Sequence, residues 1–236
     1  MHQHRASTRN LRLRRTCIQA LAVSCALLAH SANANLLLNG SFESPLVPPG
    51  GLTNFLGGSN LIDGWQVVGV DSAVTSSTFS QSGITFQAQD GQQWLDLTGF
   101  TSNSQSSGVT QTVSTVIGVP YKLDFFVGSA TDGVLFYPAT IDLGINGGNR
   151  IGFFNATAPN SALDWKPFST SFYATSATTE ITFYNGSSSN NYLAALDNVS
   201  LYAVPEPSEA IIALLGLVGI FCTRLRSSNR VHHDDA

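Results

Sequence analysis

The chain has 236 residues, with 11 Lys and Arg against 15 Asp and Glu, a formal net charge of −4. Between Asn35 and Ala203 only Lys122, Arg150 and Lys166 stand against eleven acids, the opposite of the surface a nucleic-acid binder needs. The same interval holds no Cys and no His, which excludes a disulfide framework, Cys/His zinc sites and His-dependent nucleophiles.

Residues 1–34 read as a secretory signal helix. Arg5, Arg9, Arg12, Arg14 and Arg15 form a positive n-region, 18–29 an apolar h-region, and Ala32-Asn33-Ala34 a small-x-small cleavage pattern. The implied partner is the Sec export machinery, with a mature chain starting at Asn35.

Residues 35–203 are long enough for one domain with its own core. Ser, Thr, Asn and Gly are abundant and helix formers sparse. Strands are predicted at 36–39, 65–70, 84–87, 93–97, 109–116, 121–127, 140–145, 150–154, 168–174, 180–184 and 196–202. Turn signals separate them: Pro48-Pro49-Gly50-Gly51, Asp90-Gly91, Asp132-Gly133, Asn146-Gly147-Gly148 and Asn185-Gly186. The clearest period-2 stretch sets Leu123, Phe125 and Val127 against Lys122, Asp124 and Phe126. The pattern predicts an all-β fold, a single β-sandwich.

This interval opens with Leu37-Leu38-Asn39-Gly40-Ser41-Phe42-Glu43 and closes with Leu196-Asp197-Asn198-Val199-Ser200-Leu201. Ile62-Asp63-Gly64-Trp65 and Gly91-Gln92-Gln93-Trp94-Leu95-Asp96-Leu97 lie between. Together these resemble the galactose-binding-like jelly roll found in many carbohydrate-binding modules. The resemblance implies a structural calcium where the first and last strands meet. Glu43 and Asp197 match the ligand carboxylates, and carbonyls at Asn39 and Ser41 would complete an oxygen set. The alternative is that Glu43 caps a turn and Asp197 hydrogen-bonds backbone N–H groups. It also implies sugar binding by aromatic stacking with amide and acid hydrogen bonds; the candidates are Trp65, Trp94, Trp165, Phe136, Tyr137, Gln87, Gln92 and Asn103. Against this, Trp65 and Trp94 at strand positions also suit a core.

At the C-terminus, Val204-Pro205-Glu206-Pro207-Ser208 precedes a charge-free apolar run, 211–222, and then Arg224 and Arg226. Twelve helical residues rise about 18 Å, short of a hydrocarbon core of about 30 Å, and the arginines end the span on the cytoplasmic side. Pro205 and Pro207 keep the motif extended, the shape a protease grips. The tripartite order over 204–226 closely resembles the PEP-CTERM sorting signal of Gram-negative bacteria, a membrane segment read and removed by an exosortase. The polar end 227–236 is an extension beyond that pattern. A plain tail anchor is the alternative.

The expected protein is a non-catalytic, exported envelope or matrix component, with exosortase and an exopolysaccharide or other glycan as partners. Two alternatives stay open: a glycoside hydrolase using paired carboxylates, Asp90 with Asp96 or Asp63 with Asp71, and a permanently tail-anchored structural surface protein.

Overall fold

The computed structural model describes residues 34–100, 103–131, 136–156, 162–187 and 193–204, with the side chains of residues 131, 136 and 137 outside that description. Among the described residues there is no helix. The strands are β1 (Leu52–Leu56), β2 (Gln66–Val68), β3 (Asp71–Ser76), β4 (Ser80–Gln81), β5 (Ile84–Thr85), β6 (Gln93–Asp96) and β7 (Gly108–Ser114). They continue with β8 (Pro120–Thr131), β9 (Phe136–Tyr137), β10 (Ala139–Ile145), β11 (Ile151–Asn155), β12 (Leu163–Tyr173), β13 (Thr178–Asn185) and β14 (Ala195–Ala203).

Two antiparallel sheets form a sandwich of jelly-roll type. One is seven-stranded, in the order β1-β3-β6-β14-β8-β12 with β9 paired to β8; the other is five-stranded, β11-β10-β13-β7-β2. Strands β4 and β5 make a small separate hairpin.

Alternation decides which side chains go between the sheets. On β8, Tyr121, Leu123, Phe125 and Val127 are buried, while Lys122, Asp124 and Phe126 are half-buried on the other face. On β14 the alternation would fail without a bulge. The register shifts between Asp197 and Ser200, with Asn198 at φ 49°, so that Leu196, Val199 and Leu201 all reach one core. Phe125 meets Phe183 of the opposite sheet edge-on, ring centroids 5.1 Å apart.

A second, smaller cluster lies on the far side of the seven-stranded sheet. Trp94, Ala130, Leu163 and Ala195 pack there with Ile84, Phe86 and Ala88. Residues 77–92, which leave β3 and return into β6, roof that side.

The all-β sandwich expected from the sequence is the fold observed. Three strand predictions need correction. Residues 36–39 are not a strand; Asn35 brackets the closing strand instead, its Nδ2 donating to Val199 O and its Oδ1 accepting from Leu201 N. Strands β1 and β3 went unpredicted. All six residues of β3 are buried because both its faces are covered, so Asp71-Ser72-Ala73-Val74-Thr75-Ser76 shows no alternation. Strand β12 begins at Leu163, five residues before the predicted start, and runs through Pro167. Proline is tolerated there because β12 is an edge strand.

Candidate functional site

The opening and closing motifs do lie together. Gly40 sits against β14: a Cβ at Gly40 would lie 2.0 Å from Val199 O, and Val199 N donates to Gly40 O at 2.9 Å. No larger residue lets the two segments approach this closely. Glu43 Oε1 accepts the backbone N–H groups of Gln92 and Gln93, both at 2.8 Å. Asp197 Oδ2 accepts those of Gln89 (2.8 Å) and Asp90 (3.0 Å), and its Oδ1 that of Asn198 (2.7 Å). Ser41 Oγ donates to Asp90 Oδ2 at 2.7 Å. Glu43, Ser41 and Asp197 therefore clamp the segment 89–93 that leads into β6.

Asn39 does a different job. Its side chain holds the 39–44 turn, donating to Ser44 O (2.6 Å) and Asp63 O (3.1 Å), and its carbonyl accepts from Trp65 Nε1 (3.1 Å) and Phe42 N (3.1 Å). Of the four residues expected to share a calcium ion, Ser41, Glu43 and Asp197 meet around 89–93, whereas the Asn39 carbonyl is engaged by Trp65 Nε1 and Phe42 N. N–H donors point at Glu43 Oε1 and at both Asp197 oxygens, so a calcium ion bound here would share those oxygens with them. Among the described residues no group of three or more His, Cys, Asp or Glu could hold a metal. Burial pushes the Asp197 carboxyl up to about 7, with the Asp90 charge adding and the three N–H bonds pulling back.

Two of the aromatic candidates are corrected. Trp65 and Trp94 are 1% and 2% exposed. Trp65 packs between Phe42 (centroids 5.6 Å) and Phe183 (6.3 Å) in the main core. Trp94 belongs to the second cluster, edge-on to Trp165 at 6.2 Å, its Nε1 donating to Phe86 O. Both find core partners for ring and indole N–H, so neither offers a face to a ligand. Trp165, half-buried at that cluster's rim, donates to Gln87 O at 2.9 Å. Phe136 and Tyr137 form β9 against the end of β8; their side chains lie outside the described residues.

The carboxylate pairs proposed for hydrolysis are split as well. Asp90 and Asp63 are exposed and bound to Ser41 and Ser44. Asp71 and Asp96 are instead the acids that sense one another. Asp71 Oδ2 accepts from Phe100 N (3.0 Å) and Asn54 Nδ2 (3.1 Å); Asp96 Oδ1 accepts from Thr98 N (2.9 Å) and Thr98 Oγ1 (2.7 Å). They fasten the 97–100 turn. Burial pushes Asp96 up to about 6, partly offset by its hydrogen bonds.

A polar surface that the sequence analysis did not single out covers the outside of the five-stranded sheet. On β10, Ile141 and Leu143 face the core, so Thr140, Asp142 and Gly144 face out. Register places Asp142 opposite Gly152 on β11 and opposite Tyr184 on β13. In the next row Gly144 pairs with Thr182, Thr182 with Thr110, and Thr110 with Gln66. Glycines on this surface make room for the Asp142 and Tyr184 side chains. A Cβ at Gly186 would lie 2.6 Å from Asp142 Oδ1, one at Gly152 3.2 Å from it, and one at Gly144 3.3 Å from Tyr184 Cε2.

The guanidinium of Arg150 lies over the Tyr184 ring, 3.5 Å from its centroid, and Arg150 Nη1 donates to Gln105 O at 2.8 Å. Tyr184 thus orients the planar fork of Arg150 and leaves further N–H donors free. Neither the Asp142 carboxylate nor the Tyr184 hydroxyl bonds to another described residue. An acceptor and a donor group, the Asp142 carboxylate and the Tyr184 hydroxyl, therefore stand uncommitted across one row of this face. The sequence did hold a signal, the alternation of Thr140, Asp142 and Gly144 with Ile141, Leu143 and Ile145. The glycines, however, are scattered from 144 to 186 and only the register collects them.

The outside of the seven-stranded sheet is different. Asp124 Oδ2 accepts from Lys122 Nζ (2.9 Å) and from the Tyr202 hydroxyl, and Lys122 lies over the Tyr202 ring. Burial raises the Asp124 carboxyl, but bonds from Ser169, Tyr202 and Lys122 outweigh it and hold the group below its ordinary value. Every polar group of this cluster is already engaged.

Of the sorting and export residues, Ala34 and Val204 are exposed ends of the described chain. Ala32, Pro205, Glu206, Pro207, Ser208, Arg224 and Arg226, with the signal and sorting helices, lie outside the described residues. Among the described residues no helix is long and apolar enough to cross a membrane.

No curated protein matches the chain. Solved structures similar to it include a family 35 carbohydrate binding module from Clostridium thermocellum, at 17% identity and TM-score 0.36, covering 64% of this chain and 92% of that one. A tandem CBM22 domain from Paenibacillus barcinonensis gives 17% identity and TM-score 0.41 over 75% of this chain and 48% of that one. An exo-beta-1,3-galactanase from Phanerochaete chrysosporium gives 19% identity and TM-score 0.38 over 64% of this chain; the match spans only 29% of the galactanase. The model of one family, described as protein of unknown function (DUF642), matches residues 35–202. The chain belongs to the DUF642 family.

Proposed function

We propose that this protein is exported and sorted through its C-terminal tail by an exosortase, and that its sandwich binds a glycan on the outside of the five-stranded sheet without cleaving it. The observation that carries the binding role is the uncommitted Asp142 carboxylate, paired across the ladder with Tyr184, whose ring carries the Arg150 guanidinium. Sugar hydroxyls both donate and accept. A carboxylate and a guanidinium on one face satisfy neighbouring hydroxyls, with Thr140 and Gln66 supplying further polar contacts. Most of the ring's stacking capacity is taken by Arg150, so recognition rests on hydrogen bonds more than on aromatic stacking.

The spacing of the acids on this face argues against hydrolysis. Glycoside cleavage sets two carboxyl groups about 5–9.5 Å apart across the bond. The other acid of this face, Glu180, lies four residues along β13 from Tyr184, the register partner of Asp142, or about 13 Å away. The tail reading is supported by the Pro-Glu-Pro motif, the apolar run and the arginines in that order. The end product is a displayed, hydrated envelope or matrix protein.

Each half has its own test. A glycan array of the mature chain should show retention without release of reducing ends, lost in Asp142→Ala; no retention on any glycan overturns the binding role. Mass spectrometry of the protein recovered from its native envelope should find a new C-terminus near 204–210. An intact Ala236 terminus overturns exosortase processing.

A further inference from the structure

The chain leaves the described sandwich at an apolar corner. Val204 N donates to Pro120 O at 2.8 Å, which places the exit against the start of β8. The β7–β8 turn stands beside it. That turn is closed by Val119 N donating to Val116 O (3.1 Å) and Val116 N donating to the Tyr121 hydroxyl (2.9 Å). Gly118 N to Ala174 O (2.8 Å) and Ala174 N to Val119 O (3.1 Å) tie it to the end of β12.

Val116, Ile117 and Tyr173 are 63%, 66% and 68% exposed on this corner. Residues 115–121 and 173–178 contain no Asp, Glu, Lys or Arg. The turn itself does not require these side chains. Its left-handed position is filled by Gly118 at φ 81°, and tips elsewhere in the chain use Gly57-Gly58, Asp90-Gly91 and Asn146-Gly147. Valine and isoleucine at a solvent-facing tip lose apolar contact that burial would give them. Tyr173 adds a ring with an apolar body and a polar end, the kind of side chain favoured where lipid meets water.

What covers the corner follows from where the chain goes next. Six residues separate Val204 from Ile211, the start of the apolar run. Fully extended chain spans about 3.3–3.6 Å per residue, so the corner is tethered within about 25 Å of that run. We infer that this corner, Val116, Ile117 and Tyr173, rests in the interfacial layer of the lipid bilayer that receives the tail. The inference relies on the proposed reading of 211–222 as a membrane segment. It sets the sandwich end-on to the membrane, with the 103–107 loop at the distal end of β7.

The test uses the full chain, with Cys17, Cys25 and Cys222 replaced by Ser, reconstituted into vesicles of phosphatidylethanolamine and phosphatidylglycerol. An environment-sensitive fluorophore is placed singly at Ile117→Cys, Ser106→Cys and Leu217→Cys, with spin-labelled lipids as quenchers. Interfacial insertion reaches about 5–10 Å, so a shallow label should quench and blue-shift the probe at 117 but not the one at 106. Quenching at 117 supports the inference whatever happens at 217. A quenched probe at 217 with a solvent-like probe at 117 overturns it and leaves the tail reading standing. Solvent-like probes at both positions overturn both. A blue shift at 117 that grows with protein concentration and ignores the quencher assigns the corner to a second copy of the chain, and also overturns it.

Discussion

On the outer side of the seven-stranded sheet, Trp94, Ala130, Leu163 and Ala195 are roofed by residues 77–92, and Lys122, Asp124 and Tyr202 saturate one another. On the outer side of the five-stranded sheet, Asp142 and Tyr184 lie over glycines, and among the described residues the Asp142 carboxylate has no partner. Both surfaces come from the same alternation of in and out residues. The first spends its side chains on holding the sandwich together, and the second leaves the Asp142 carboxylate and the Tyr184 hydroxyl uncommitted. A folded chain gains nothing from an uncommitted carboxylate, so the second surface is where binding is to be sought.

The largest expected effect lies on the closed side. Trp94→Ala removes a buried ring from a sealed cluster and should cost about 3–5 kcal/mol in denaturant unfolding. Tyr184→Ala on the open side should cost less than about 1 kcal/mol. Comparable losses would erase the distinction between the two faces.

Next comes pH. Asp197 and Asp96, both on the seven-stranded sheet, have folded-state values raised from 3.8 to about 7 and about 6. Between the unfolded and folded values the native state holds more protons than the unfolded one, so stability falls as pH rises through that window. Thermal unfolding should therefore occur at a lower temperature at pH 7.5 than at pH 4.5, and Asp197→Asn should flatten the dependence. A melting temperature that rises over the same range would contradict the burial of these carboxyls.

Smaller effects belong to the open side. Asp142→Ala removes a charged hydrogen-bond acceptor and should weaken glycan binding by about 1.5–3 kcal/mol, roughly 10- to 100-fold. Gly152→Leu should crowd the Asp142 carboxylate, which lies 3.2 Å from a Cβ at that position, and weaken binding, read by titration beside a melting curve. If it binds as well as the parent, the Asp142 face is not the site. Smallest of all, chelation of calcium should leave the melting temperature unchanged, because N–H groups already engage Glu43 and Asp197. A clear drop on chelation would restore the calcium reading.

Much of the sandwich was legible where one face is buried and the other wet, as in 121–127 and 140–145. It was illegible where both faces are covered, as in β3, because burial on two sides removes the alternation that marks a strand. The meeting of the opening and closing motifs was readable too, since Asn39-Gly40-Ser41 needs a close neighbour for its glycine. What those acids do there was not, because N–H donors of the backbone leave no trace in side-chain identity. Trp65 and Trp94 misled for a related reason: aromatic rings serve cores and ligands alike, and only burial separates the two. The open face was hidden by distance along the chain, since Asp142, Arg150 and Tyr184 become neighbours only through the β10 ladders and the reach of the Arg150 side chain.

Native affinity electrophoresis through gels containing polysaccharide is the most direct test of the difference between the faces. The mature chain, Asp142→Ala with Tyr184→Ala, and Lys122→Ala with Tyr202→Phe would run side by side. A retarding polysaccharide should slow the parent and the Lys122/Tyr202 variant equally and release the Asp142/Tyr184 variant. Equal retardation of all three, or release of the Lys122/Tyr202 variant alone, would place binding elsewhere and contradict it.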